Sequence, residues 1–139
     1  MIKRIWSDDL GKAIRGLDVL VTNIPIRAKT STKKIAQEIL WMSQNVSPMV
    51  PVKTGDLKST GRVEPTSLGH AVKYGGTAKS GSFVHYAEHV HDDLRPKNWT
   101  TPGTGAKYVE SHFHRKSREA ASEIGNDMQR FIWSIFGRK

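Results

Sequence analysis

Cysteine is absent from this chain, which excludes disulfide bonds and thiolate chemistry. Long apolar runs are also missing, since none approaches the ~20 residues that a membrane-spanning helix needs. The opening stretch, MIKRIWSDDLGK, carries charges where a secretory signal would be apolar. We therefore expect a protein made and first held in a cytoplasm, with no membrane contact.

The sequence also lacks the short motifs that accompany common enzyme chemistry. It contains no G-x-x-x-x-G-K-[ST] phosphate loop and no G-x-S-x-G nucleophile turn. The GTG at 103–105 is too short for a dinucleotide site and indicates a turn ahead of a helix. We expect no enzymatic activity and no cofactor.

Acidic residues are few relative to basic ones. The chain has 22 Lys and Arg against 13 Asp and Glu, which gives a formal net charge of +9. Such a protein is attracted to polyanions, including nucleic acid and acidic protein surfaces. The basic residues are dense only in RAKTSTKK (27–34) and HRKSR (114–118). A small DNA-binding module is one alternative; an acidic protein partner, or simple solubility, is the other.

At 139 residues the chain is expected to form a single domain over 1–139. The apolar spacing near the N-terminus fits an amphipathic helix, and a short strand around 13–21 fits as well. Pro25 interrupts this segment and could open the next helix. A clearer apolar stripe over 35–42 predicts a helix that ends near 45–47, before two prolines.

Residues 59–93 are predicted to be rich in β structure. STGRVEP and GHAVKYGG flank TSLG as the two arms of a hairpin. GGTAKSGS (75–82) predicts a flexible loop, and FVHYAEHV (83–90) fits a strand or one helical turn. A second flexible loop is expected over about 91–107, followed by a long helix from about Ala106 to Ile135.

A group of histidines is the densest set of potential metal ligands. His85, His89 and His91 lie close together among acidic residues. On a strand they would share one face, and on a helix His85 and His89 would be spaced as in zinc enzymes. These three residues are therefore metal-ligand candidates, and a metal-dependent nuclease is an alternative function. The other interpretation is a set of surface or interface histidines.

Several aromatic residues lie outside clear helical stripes or at their start. Trp99, in the polar loop, could anchor a protein interface or stack on a nucleic-acid base. Tyr108 and Phe113, at the start of the last helix, are further interface candidates. Trp41 and Phe136 are expected in the core.

Two short stretches stand out from the rest of the chain. VPVKTGDLKSTG (50–61) combines a proline that ends the preceding element, a Thr-Gly turn and an apolar anchor. Its five characteristic residues are Pro51, Thr54, Gly55, Leu57 and Ser59. The later stretch YAEHVH begins with Tyr86, Ala87 and Glu88.

The order of these pieces resembles the tail-completion, or neck, protein family of long-tailed bacteriophages. That family has a vPv-x-TG-x-L-x-x-S turn after its first long helix and a YA-x-x-vE motif in mid-chain. The first motif is matched at all five residues above. In the second motif, Tyr86 and Ala87 match, and the acidic position is met loosely by the EHVHDD that starts at Glu88.

The resemblance implies a structural role in the virion. It implies an α+β fold in which a small antiparallel sheet packs with a long helix before it and a long C-terminal helix after it. Members assemble as a ring, commonly a hexamer, between the head-completion proteins under the portal and the tail terminator or tail tube. DNA passes through the lumen, and no enzymatic activity is known. The turn motif would form the hinge of the fold, with Leu57 in the core.

Overall fold

The computed structural model describes residues 2–67, 69–95 and 102–137. One long helix precedes a small β region in the sequence and another follows it. The chain is therefore a mostly helical α+β protein, and the predicted fold class is confirmed. The β region consists of two separate two-stranded antiparallel sheets instead of one sheet. In chain order the elements are α1 (Ile2–Asn45), α2 (Asp56–Ser59), β1 (Arg62–Pro65), β2 (His70–Lys73), β3 (Gly76–Thr77), β4 (Phe83–Val84), α3 (Ala87–Asp92) and α4 (Glu110–Phe136).

α1 is one helix of 44 residues that continues through Pro25. The predicted break at Pro25, and the alternative strand around 13–21, are wrong. Proline removes one helical hydrogen bond and crowds the carbonyl four residues earlier, that of Val21. Both residues are exposed, so water can hydrate that carbonyl, and packing against α4 on both sides of Pro25 holds the helix together. The end at Asn45 agrees with the sequence prediction.

β1 and β2 form the predicted hairpin, with Arg62 opposite Lys73. The Thr66 N–H donates to the Gly69 carbonyl at 2.8 Å and closes the turn. Glu64 lies 2.6 Å from Arg62 Nε on its own strand and 2.6 Å from Lys73 Nζ on the other. These two hydrogen bonds lower the pKa of Glu64, with the bond from Lys73 as the larger cause. The hairpin therefore has a charged outer face.

The inner side of this hairpin packs on the C-terminal half of α1. Thr32 Oγ1 lies 3.1 Å from His70 Nδ1, at the start of β2. Farther along α1, the Ser43 hydroxyl donates to the Leu40 carbonyl at 2.7 Å, so it accepts from the Tyr74 hydroxyl at 2.6 Å. Burial raises the pKa of Tyr74, which keeps this hydroxyl a donor.

The segment 75–82, where a flexible loop is expected from its glycines, contains a short strand and a tight turn. β3 pairs with β4, and the Ala78 N–H donates to the Ser82 carbonyl at 2.8 Å. Ala78 is buried. The strand predicted over 83–90 is also wrong beyond Val84, because α3 begins at Ala87. The alternative of one helical turn is closer to the structure.

α4 begins at Glu110, so the predicted start at Ala106 is too early. Lys107 has a φ of 58°, in the left-handed region, and this interrupts helical geometry just before α4. The Lys107 N–H donates to the His91 carbonyl at 2.7 Å and ties this turn to α3. At the other end α4 stops at Phe136, and Gly137 follows with a φ of 80°, as a C-terminal glycine should.

Part of the second predicted loop, 91–107, is likewise hydrogen-bonded. The Met49 N–H donates to the Gly103 carbonyl at 2.9 Å, and the Gly105 N–H donates to the Met49 carbonyl at 3.1 Å. Within the described residues, this segment therefore pairs with the chain that follows α1.

A compact apolar core lies between the turn motif, β4, α3 and the start of α4. Its buried members are Val50, Leu57, Ala78, Val84, Ala87 and Tyr108. Trp41 and Phe136, expected in the core, are exposed instead. The anchor role expected for Leu57 is confirmed.

α1 and α4 run antiparallel along their length. Near the N-terminal end of α1, Gly16 faces the Phe136 ring so closely that an added Cβ would lie 2.5 Å from it. In the middle, the Arg27 guanidinium lies 3.5 Å from Asp127 and 4.1 Å from the centre of the Phe131 ring. Beyond β2 in space, α1 and the C-terminal half of α4 continue as a two-helix extension, which we call the arm (10–30 and 124–137).

Leu57→Asp should lower the free energy of unfolding by about 2–4 kcal/mol, because a charge replaces a core side chain that is only 4% exposed. Leu94→Asp is the matched control, since Leu94 is 75% exposed and should change stability by no more than about 0.5 kcal/mol. Urea unfolding of both variants checks this. Equal effects would contradict the anchor role of Leu57.

Gly61→Ala should destabilise the hairpin by about 1–3 kcal/mol through overpacking. An added Cβ would lie 2.7 Å from the Tyr74 ring and 2.7 Å from the Gln44 amide nitrogen, and Tyr74 is held by Ser43. Gly125→Ala, inside α4 with nothing within 4 Å, should instead stabilise by about 0.5–1 kcal/mol. Thermal and urea unfolding of the pair should therefore show shifts of opposite sign.

Candidate assembly interface

Hydrogen bonds join the turn motif (50–61), which contains α2, to the segment after β3. Gly55 has a φ of 86°, which glycine adopts freely. The Thr54 hydroxyl donates to the Asp56 carboxylate at 2.9 Å and accepts from the Asp56 N–H at 3.4 Å. Ser80 donates to the same carboxylate at 2.6 Å, and Ser59 Oγ accepts from the Lys79 N–H at 3.2 Å.

These contacts make the motif structural. The hydrogen bond from Ser80, and then that from Thr54, lower the pKa of Asp56, so the carboxylate holds the two segments together in its charged form. Thr60 adds a further bridge, because its hydroxyl donates to the Leu57 carbonyl at 2.6 Å and accepts from the Gly75 N–H at 2.9 Å. Ser80 and Thr60 were missed from sequence, since partners so distant in the chain leave no local pattern.

The second motif, Tyr86-Ala87-Glu88, forms the beginning of α3. Ala87 is buried, and its carbonyl accepts from the Tyr108 hydroxyl at 3.1 Å. Tyr86 is partly exposed and lines a groove of about 370 Å³ together with Pro51 and Leu57. The two motifs therefore meet in space, whereas Glu88 is exposed and does not line this groove.

The three interface candidates have different outcomes. Tyr108 is 1% exposed and belongs to the core, so its assignment to an interface is wrong. Phe113 is 57% exposed on the first turn of α4, as an interface residue requires. Trp99 lies outside the described residues.

The histidines do not converge on a common point. His85 precedes α3 and packs edge-on against the Tyr86 ring, while His89 Nε2 lies 3.7 Å from Asp93. Among the described residues, the one set of three potential ligands within 4.8 Å of one another is His91, Asp92 and Glu110. His85 and His89 take no part in it.

An internal cation already fills the centre of that set. Lys107 Nζ lies 2.8 Å from an Asp92 oxygen and 2.8 Å from a Glu110 oxygen. His91 Nδ1 lies 2.9 Å from Asp92, and His91 Nε2 accepts from the Glu110 N–H at 3.3 Å. Both ring nitrogens are thus in use. The hydrogen bonds from Lys107 are the largest cause of the lowered pKa of each carboxyl group, and they raise the pKa of Lys107.

A long apolar stripe on the arm is the main surface feature that sequence analysis did not assign. Leu10, Ile14, Leu17 and Val21 follow one another at steps of four, three and four, so they share one face of α1. All four are exposed, from 51% at Ile14 to 76% at Val21. We call them the arm stripe. Single exposed apolar residues are ordinary, whereas an aligned set of this size indicates a contact surface.

The same face of α1 continues into an apolar groove on the body of the molecule. α1 contributes Ile35 and Ile39, β2 contributes the floor, and α4 contributes Phe113 and Ile124. The groove has a volume of about 540 Å³, and His91 and Glu110 lie at its α3 end. We call it the body groove.

The basic clusters are partly engaged in internal contacts. Arg27 pairs with Asp127, and Lys116 lies 2.8 Å from Glu38 and 3.0 Å from Glu119. The hydrogen bond from Glu38 is the largest cause of the raised pKa of Lys116. The other three basic residues of the first cluster are exposed: Lys29, Lys33 and Lys34.

No known protein family, curated protein or solved structure matches this chain. Within the described residues, neither long helix contains a stretch apolar enough to cross a bilayer.

Lys107→Met should raise the pKa of both Asp92 and Glu110 toward their ordinary values of 3.8 and 4.5, because the principal hydrogen-bond donor is lost. The depressed pKa values stabilise the fold above those ordinary values, and this contribution is lost as pH falls through the folded-state pKa. Lys107→Met should therefore weaken the dependence of stability on acid. Carboxyl NMR titration checks the pKa values, with Lys12→Met on the arm as the control that should leave both unchanged.

Proposed function

We propose that this protein is a structural subunit of the bacteriophage neck, a tail-completion protein that forms a ring between the head-side connector and the tail. In this proposal the ring is a homo-oligomer, commonly a hexamer in proteins of this kind, and DNA passes through its lumen. It acts in the virion after assembly in the host cytoplasm. It has no catalytic role.

The observation that carries the proposal is the arm stripe. An aligned row of four exposed aliphatic side chains gains free energy when it is covered, at roughly 25 cal/mol per Å² of apolar surface. A ring supplies the cover through copies of the same chain and leaves no stripe exposed. The resemblance of the two sequence motifs to those of the neck family is the reason for placing this ring in the phage neck.

The geometry of the motifs is compatible with this structural role. Leu57 of the first motif and Ala87 of the second are buried in the same core as Tyr108. Tyr108 donates a hydrogen bond to the Ala87 carbonyl just before α4 begins. Nothing in that arrangement leaves a motif side chain poised for chemistry, because Thr54 and Ser59 are both hydrogen-bonded within the turn. Residues of this kind shape a subunit.

The excess of positive charge supports passage of DNA through such a ring. Lys29, Lys33 and Lys34 are exposed on α1. Exposed lysine side chains attract the phosphates of DNA without sequence preference. A separate DNA-binding module would use the same residues, and its affinity would fall steeply with salt. The nuclease alternative gains no support, since His85, His89 and His91 point to different neighbours.

The decisive measurement is the mass of the native assembly, by native mass spectrometry and sedimentation. We expect a single closed oligomer at high concentration or on addition of the head or tail partner. A protein that stays monomeric under all these conditions would contradict the proposal.

Leu17→Glu should prevent this assembly while the monomer stays folded, because it places a charge in the middle of the arm stripe. Val19→Glu is the matched control, since Val19 is 42% exposed and lies on nearly the opposite face of the same helix. Sedimentation velocity should show monomers for the first variant and wild-type oligomers for the second, with circular dichroism reporting that both are folded. Loss of assembly in both, or in neither, would contradict a role for the stripe.

A further inference from the structure

We infer that the arm stripe of one copy docks into the body groove of the next copy, so that each subunit contributes a ridge on one side and a groove on the other. This inference rests on the proposed ring function and specifies the contact that would close the ring. The occupant of the groove is thus a second copy of this chain, through residues 10–21 of α1.

The first argument is continuity along α1. From Leu10 to Ile39 the stripe positions recur at steps of three and four, so one face of the helix is apolar, apart from Thr32, over about 44 Å. In the C-terminal half the β1–β2 hairpin partly covers that face, through contacts such as Thr32 with His70, and the body groove lies beside it. In the N-terminal half the hairpin has ended and the face is bare. A neighbouring body, with its own β2 and α4, presents the same kind of surface that covers the other half.

The second argument is complementary shape. The arm stripe is a convex row of aliphatic side chains on one helix, whereas the body groove is a concavity between α1 and α4 with β2 as its floor. Its volume of about 540 Å³ is enough to receive several aliphatic side chains. Phe113, at its edge and 57% exposed, would close over an inserted helix. A convex stripe packed on its own copy would leave both grooves open.

Charge favours the same pairing. The arm (10–30 and 124–137) carries five basic residues and two acidic residues, so two arms laid together would repel each other. The residues that line the body groove include no lysine or arginine and one carboxylate, that of Glu110 at its α3 end. A basic arm laid into the groove therefore meets no cation among these lining residues.

The small size of the contact favours a closed assembly over an isolated pair held by one contact. A helix face about 17 Å long and 10 Å wide, from Leu10 to Val21, has a footprint on the order of 170 Å² per partner, well below the ~800 Å² typical of stable pairs. Such a head-to-tail contact leaves one stripe and one groove open in every open chain. Closing the ring fills both on every subunit, so closed species are favoured over short open ones.

The absence of cysteine makes a direct test possible. Leu17→Cys marks the stripe and Phe113→Cys marks the groove. The two positions cannot react within one chain: Gly16 faces Phe136, and Phe113 lies 23 residues earlier on the straight helix α4, about 34 Å away. Each single variant, and an equimolar mixture of the two, is treated with a short bismaleimide at high protein concentration. Val19→Cys replaces Leu17→Cys as the control on the other face of α1.

We expect abundant cross-linked dimers in the Leu17→Cys and Phe113→Cys mixture, and little from either variant alone or from mixtures with Val19→Cys. The variant with both cysteines should then give a ladder that ends at the closed ring. Cross-linking of Leu17→Cys with itself, at the level of the mixture, would overturn the inference in favour of arm-on-arm packing. A ring without the expected cross-link would overturn the inference and leave the proposed function standing. Monomers alone, at every concentration and with head or tail partners present, would overturn both.

Discussion

The burial of Tyr108 is the constraint on which the rest of the fold depends. Its hydroxyl donates to the Ala87 carbonyl at 3.1 Å, and its ring packs edge-on against Tyr74 at 5.3 Å and against His91 at 5.0 Å. One ring therefore joins α3, the end of the β1–β2 hairpin and the start of α4. Desolvation raises the pKa of Tyr108, so the hydroxyl stays a donor. Because α4 begins two residues later, its direction, and with it the arm, follows from this packing.

The molecule divides its apolar surface between two purposes. The body encloses a small core around Leu57 and Val84, while the arm leaves Leu17 and Val21 in contact with water. A folded chain can carry such a surface only if something else covers it in use, or at some risk of aggregation. The same reasoning links the net charge of +9 to the arrangement, since repulsion between free subunits limits uncontrolled association.

Periodicity predicted the long elements, and tertiary contacts decided the rest. The helix over 35–45 and most of α4 could be predicted because apolar spacing is local information, and the hairpin could be predicted from its turn. The predicted break at Pro25 is wrong because packing on α4 offsets the roughly 3 kcal/mol by which a proline destabilises a helix. The local sequence carries no sign of that packing. The φ of Lys107 is left-handed, which a lysine rarely adopts, and it interrupts helical geometry there, so α4 begins only at Glu110.

The candidate site was less predictable for the same reason. His89 and His91 lie two positions apart on α3, which places them about 200° apart around the helix. Two residues this close in the sequence therefore point their side chains in different directions. His91 is instead contacted by the backbone N–H groups of Glu110 and Lys107, which are distant in the sequence. Finally, Pro25 gives α1 an uneven stiffness. A helix that lacks one backbone hydrogen bond bends most easily there, so bending of the arm would be concentrated at Pro25 and would carry the C-terminal half of α4 with it.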